Sequence, residues 1–294
     1  MWFSSVPVSD DHKLSINVTE WSRRGFPCVL VHGFADAGCV WSHLASRLAP
    51  QFRVLAPDLR GHGNSGWDPE VRYRTEVFAA DLSRTVEAFR LERMVLIGHS
   101  LGADVAIRFA AANGARVAAL VVVDFGPELA RAGVDEVMRA FAETPRAFAS
   151  TDAYAQWLIE RRPFANQTLL RQFARCSLRQ APAGTWELKA DPALGVGSLL
   201  GRFTATEARY HDPNMWLELE RIKCPSLIVR GVGSGVLPYD LPGRMLERVR
   251  AGGRLATIAG AGHSVMLDNP AELSAAVVGF LTDLALPERA APVG

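Results

Sequence analysis

The sequence predicts an α/β fold: a mostly parallel sheet flanked by helices, with a helical cap inserted into it. Three observations carry this. Short β-branched or apolar runs alternate with amphipathic helical stretches, the rhythm breaks once between Gly126 and about Tyr210, and it resumes near Met215 and Pro225. Strand-like runs occur at residues 14–18, 28–31, 53–56, 94–97, 120–123, 226–229 and 255–258. The interrupting segment reads as several short helices rich in Ala, Arg, Phe and Trp, with no strand-like run. The expected organisation is a core of residues 1–128 and 211–286, a helical cap of 129–210, and a disordered Ala- and Pro-rich tail of 287–294.

Composition narrows the function classes. With 294 residues, 49% of them hydrophobic, the chain buries one large core plus a modest insertion. A formal charge of +1 and no basic stripe give no electrostatic footprint for nucleic acid. No apolar window approaches the roughly 20 residues that span a bilayer, and the first residues lack the apolar block of a signal peptide. The expectation is therefore a cytoplasmic protein acting on a small molecule, with no membrane partner; the oligomeric state is left open. Cys28, Cys39, Cys176 and Cys224 show no C-x-x-C spacing, so no metal site is expected and all four read as buried free thiols.

The chemistry centres on Gly98-His99-Ser100-Leu101-Gly102, between the run at 94–97 and a helix-like stretch from Ala103 to Ala112. A serine on so tight a strand-to-helix turn needs neighbours without a β-carbon two residues to either side, which G-x-S-x-G supplies. Ser100 is thus the expected nucleophile, and the amide of Leu101, at a helix start, points where an oxyanion would form. His32-Gly33-Phe34 follows the run at 28–31 and offers the Phe34 amide as a second donor. In Asp58-Leu59-Arg60-Gly61-His62-Gly63-Asn64-Ser65 the expected role is structural, with Asp58, Arg60 and His62 satisfying one another and the backbone. Of seven histidines, His263, in Gly260-Ala261-Gly262-His263 after the last strand-like run, is placed for a general base. His99, adjacent to Ser100, is expected to point away from it.

These motifs, in this order, resemble the α/β-hydrolase superfamily, specifically its cap-bearing serine hydrolase branch. The resemblance spans nearly the whole chain and implies an acyl-enzyme on Ser100, proton transfer by His263, an oxyanion hole from the Phe34 and Leu101 amides, and no cofactor. Family members that are haloalkane dehalogenases or epoxide hydrolases carry Asp at the elbow; Ser100 argues against both. The chain departs from the commonest pattern at the triad acid, since Gly235 stands where related sequences often carry Asp. Asp124, ending the run at 120–123, is the expected replacement, because some members of this branch carry their acid there and Ser100, Asp124 and His263 keep the order nucleophile, acid, base. Asp240 is the runner-up, and Asp268 reads as a loop-stabilising residue.

Between Leu129 and Tyr210 there are ten Arg and one Lys against eight Asp and Glu, a net charge of +3. An arginine reaching inward would favour a substrate with an anionic group. Arg161 and Arg162, beside Trp157, are the candidates, and Trp157 and His99 are counted with them as substrate-binding. The expected activity is hydrolysis of a carboxylic ester, lactone, thioester or amide. The rival readings are a receptor-like binding protein on the same fold, to which the missing Asp at Gly235 lends weight, and a cofactor-free lyase or oxygenase using His263 on a carbon acid.

Overall fold

The computed structural model describes residues 1–9, 13–182, 184–195, 203–284 and 286. Its first half lays down six strands: β1 (Trp2–Pro7), β2 (Ser15–Glu20), β3 (Phe26–Val31), β4 (Phe52–Pro57), β5 (Met94–His99) and β6 (Val117–Val123). Between them run α1 (Ser42–Leu48), α2 (Thr75–Ala88) and α3 (Leu101–Ala112). After the insertion come α7 (Pro213–Arg221), β13 (Ser226–Gly231), α8 (Leu241–Arg248), β14 (Gly253–Ile258), α9 (Val265–Asp268) and α10 (Pro270–Thr282). The eight strands form one sheet in the order β1-β2-β4-β3-β5-β6-β13-β14. Every pairing from β4 through β14 is parallel, and β2 joins both β1 and β4 antiparallel.

Strands covered on both faces read as continuous apolar runs, and this is why β5 and β6 are legible in the sequence. Every residue of both is buried. Alternate residues serve opposite layers: Leu96 and Val122 pack with Phe78 of α2 and Phe109 of α3, whereas Ile97 and Val121 pack with Leu44 of α1 and Phe280 of α10. All seven strand-like runs fall on sheet strands. The one strand missed, β1, is an edge strand with a largely exposed Trp-Phe-Ser-Ser-Val-Pro sequence that carries no apolar run.

The expectation of an insertion without strands is corrected. The described residues between 128 and 211 hold α4 (Arg131–Glu143), α5 (Thr151–Arg161) and α6 (Gln167–Ser177), together with six strands of two or three residues. These are β7 (Glu128–Ala130), β8 (Ala147–Phe148), β9 (Leu178–Gln180), β10 (Trp186–Leu188), β11 (Thr204–Ala205) and β12 (Arg209–His211). They form two sheets, β8-β10-β9 and β11-β12-β7. Strands this short are below the length at which a period of two can be read. The β7–β12 pairing closes the neck where the chain leaves the core and returns to it.

A second correction concerns the cysteines. Cys39 and Cys176 are joined in a disulfide with Cα atoms 6.6 Å apart, linking the turn before α1 to the end of α6, while Cys28 and Cys224 are free and buried. The partners lie 137 residues apart, so their proximity is a product of the fold and leaves no trace in spacing. Among the described residues no helix is long and apolar enough to cross a membrane. The predicted tail, 287–294, lies outside the described residues.

Candidate active site

Ser100 occupies the single position between β5 and α3, with φ 50° and ψ −120°. A β-carbon at Gly98 would collide with the Gly102 carbonyl, and one at Gly102 with the carbonyls of Val31 and His32, so both glycines are required by close packing. The Ser100 amide donates to the Val123 carbonyl at 3.1 Å, pinning the turn to the end of β6.

Asp124 is the next residue of that strand end and is fully buried, at φ 54°. Its carboxylate accepts from the Gly231 amide at 3.1 Å, from Ser234 Oγ, and from His263 Nδ1 at 2.8 Å. On its other edge His263 Nε2 lies 3.1 Å from Ser100 Oγ. Adjacent parallel strands stand about 4.8 Å apart, so the ends of β5 and β6 bring serine and aspartate to one histidine from two sides.

Asp240 is elsewhere. It pairs with Arg209 at 3.0 Å, its side chain is 51% exposed, and it precedes α8. Asp268 accepts from the Gly262 amide at 2.8 Å, bracing the loop that presents His263. Gly235 packs against Gly133 of α4.

The loop after β3 carries Phe34. Among the described residues neither the Phe34 amide nor the Leu101 amide has an acceptor, and both residues border the space around Ser100. His32 holds this loop: its Nδ1 donates to the Gly33 carbonyl at 2.8 Å and its Nε2 accepts from the Leu59 amide at 2.9 Å. Burial pushes its pKa down to about 4, which keeps the ring neutral and able to accept.

His99 does not point away, as expected for a neighbour of the elbow serine. Its ring lies 4.8 Å from that of His263, Nε2 donates to the His263 carbonyl at 2.9 Å, and Nδ1 faces Asp36 Oδ2 at 3.8 Å. The ring is held there by partners from two other loops, His263 after β14 and Asp36 after β3. The Asp58 loop meets the expectation in part. Asp58 accepts from the amides of Gly38 and Asn64, at 2.7 and 2.9 Å, and His62 Nδ1 donates to the Arg60 carbonyl at 2.9 Å, but the Arg60 side chain pairs with Asp81 and Asp68 instead of with Asp58. The acidic partners of Arg60 lie 8 and 21 residues downstream, beyond the motif itself.

Two chambers meet at Ser100. The larger, about 570 Å³, is bounded by Phe34, Asp36, His99 and His263 from the core and by Phe141, Tyr154, Trp157 and Arg162 from the insertion. The smaller, about 60 Å³, is walled by Leu101, Phe125, Leu129, Val134, Met138 and Phe203. Phe34, Ser100, Val137 and His263 border both. The two candidate arginines separate. Arg161 is half exposed, its guanidinium 4.2 Å over the Trp157 ring, whereas Arg162 is partly buried against the larger chamber. Asp36 was missed by the sequence reading. It sits two residues after Phe34 in the same loop, and the only signal for it was a carboxylate in a stretch already assigned to the oxyanion hole.

Residues 28–276 match the family described as the Alpha/beta hydrolase family. The chain belongs to that family. This alpha/beta hydrolase is 26% identical to the 3-hydroxybutyrate-oligomer hydrolase of Cupriavidus necator, over 87% of this chain and 89% of that one. It is 29% identical to Epoxide hydrolase A of Mycobacterium tuberculosis, over 94% and 97% respectively. The crystal structure of E-2-(acetamidomethylene)succinate hydrolase has the same fold, with a TM-score of 0.79 at 24% identity, over 96% of this chain and 99% of that one. The relatives are hydrolases, which supports a hydrolase function for this chain.

Proposed function

We propose that this chain is a cofactor-independent serine hydrolase that cleaves a carboxylic ester, lactone, thioester or amide of a small to medium-sized molecule through an acyl-enzyme. One observation carries the reading: the unbroken relay from Ser100 Oγ through His263 to the buried carboxylate of Asp124. In this scheme His263 Nε2 takes the hydroxyl proton as Ser100 Oγ attacks the carbonyl carbon, and the amides of Phe34 and Leu101 bind the resulting oxyanion. Asp124 accepts the hydrogen bond from Nδ1–H, fixes the tautomer and stabilises the imidazolium. Collapse of the tetrahedral intermediate breaks the bond to the leaving group, which receives the proton from His263. Water, deprotonated by the same histidine, then releases the acid and restores Ser100.

Epoxide opening, the activity in one relative's name, suits this centre poorly. A serine alkoxide that opened an epoxide would leave an ether, with no carbonyl for water to attack. Acyl chemistry regenerates the hydroxyl.

The test is labelling with a fluorophosphonate, followed by mass spectrometry of the intact protein and its peptides. The expected result is a single adduct on Ser100 that is absent from Ser100→Ala. A receptor-like protein, or a lyase using His263 on a carbon acid, would label poorly or not at all.

A further inference from the structure

We propose that Arg162 anchors a carboxylate of the substrate. The preferred substrate is then an ester or amide with an acidic group on one side of the scissile carbonyl and a short apolar group on the other. This rests on the acyl-transfer reading above and narrows it.

The cations that border the larger chamber differ in what they bind. Arg139 is clamped by Glu136 and Glu143 at 2.6 and 2.8 Å, Lys189 donates to the Cys176 carbonyl at 2.7 Å, and Arg161 is stacked on Trp157. Arg162 has no such arrangement: its Nη1 is shielded from solvent and lacks a hydrogen-bond partner among the described residues. A guanidinium does not shed its charge, and a buried charged donor left unpaired is costly. The acids nearest to it do not relieve this. Asp36 and Asp268 both feel its field, but Asp268 is bonded to the Gly262 amide and Asp36 rests beside His99. Arg162 borders the chamber, so a small rotation of its side chain brings Nη1 to a ligand there, and a carboxylate offers two coplanar oxygens that match the guanidinium fork.

The smaller chamber supplies the other half of the inference. Its walls are mostly hydrocarbon, with the buried Asp104 the one carboxyl among them, and it admits only a short, uncharged group. With Ser100 at the waist between the chambers, a bound substrate places its carbonyl there, its acidic arm toward Arg162 and its short arm in the apolar recess.

Four compounds test this without presuming which arm is acyl. 4-Acetoxybenzoate carries the acid on the leaving group and monoethyl succinate carries it on the acyl group; methyl 4-acetoxybenzoate and diethyl succinate are their uncharged counterparts. The wild-type protein is expected to favour each acid over its ester. Arg162→Gln is expected to lower kcat/KM for the acids by about 10- to 100-fold, chiefly through KM, with partial recovery in Arg162→Lys. Arg171→Gln, the same loss of charge on the exposed face of α6, serves as the control and should keep the preference. Fluorophosphonate labelling of every variant runs alongside. A wild-type protein that labels at Ser100 but treats acids and esters alike, or labelled Arg162 variants that keep the acid preference, would overturn the role of Arg162 and leave the hydrolase reading standing. Failure of the wild type to label would overturn that reading, and the anchor with it.

Discussion

The two halves of the candidate site are held in place by different means. Ser100 and Asp124 directly follow β5 and β6, which are buried at every residue, and His263 lies in the loop after β14, braced by the bond from the Gly262 amide to Asp268. The wall facing them comes from α4, α5 and α6, and α4 buries only Val134. That wall is tied to the core through the β7–β12 neck and the Cys39–Cys176 disulfide. A group that must stay within hydrogen-bond distance of two partners is best carried on a packed sheet, whereas a wall that chooses among substrates tolerates looser support. Substitutions in the first region should therefore act on turnover, and those in the second on recognition and stability.

The largest effect is expected at the strand ends. Ser100→Ala should lower kcat by about 10⁶-fold while leaving the thermal midpoint near that of the wild type, because alanine fits the turn. Residual turnover within tenfold of the wild type would remove Ser100 from the chemistry. Asp124→Asn should cost about 10⁴-fold, since the amide reverses the hydrogen bond that sets the His263 tautomer. Asp240→Asn is the contrast: that residue is solvent-exposed and paired with arginines, and the change should alter kcat little. Steady-state kinetics of the two variants side by side checks the comparison, and a reversed ranking would move the acid to Asp240.

A smaller effect is expected at the tether. Cys39→Ser with Cys176→Ser opens a long loop and should cost about 2–4 kcal/mol of unfolding free energy, read by denaturant melts of oxidised and mutant protein. If the double variant matched the wild type both in stability and in KM, the disulfide would have no part in holding α6 over the site.

The smallest effect tunes the larger chamber by charge. Burial raises the Asp36 carboxyl to about 6, with Arg162 of the insertion and His263 opposing the rise. His99 of β5 and Tyr154 of α5 also face it. A carboxyl so raised is neutral below that pH and negative above it, so a like charge appears in the chamber as pH climbs from 5 to 7. Succinate binding to the Ser100→Ala protein should weaken over that interval by a factor of about two to ten, and less so when Asp36→Asn is added. Equal pH slopes by calorimetry would mean that Asp36 does not face the bound acid.

Much was legible from the chain because it is local. Continuous apolar runs mark doubly covered strands, the paired glycines around Ser100 mark a turn with no room for side chains, and Asp124 follows immediately on such a run. The resemblance to a branch that carries its acid after this strand, together with the chain order of the three groups, favoured Asp124 over Asp240, and the fold places Asp124 2.8 Å from His263. Other features depend on contacts between distant segments. The sequence presents Arg161 and Arg162 as equals, and both border the cavity, yet only the docking of α5 decides that Arg161 lies half exposed over Trp157 while Arg162 is partly buried with Nη1 unpartnered among the described residues. His99 turns toward the site because of what packs above β5. The pairing of Cys39 with Cys176, and the short strands that brace the insertion, likewise arise where remote pieces of chain meet. The amino-acid sequence by itself determined the sheet, the elbow and the order of the three groups, because strand period, turn sterics and chain order are properties of neighbouring residues; the tertiary structure alone decided which side chains face the substrate, because that depends on how separate elements are docked.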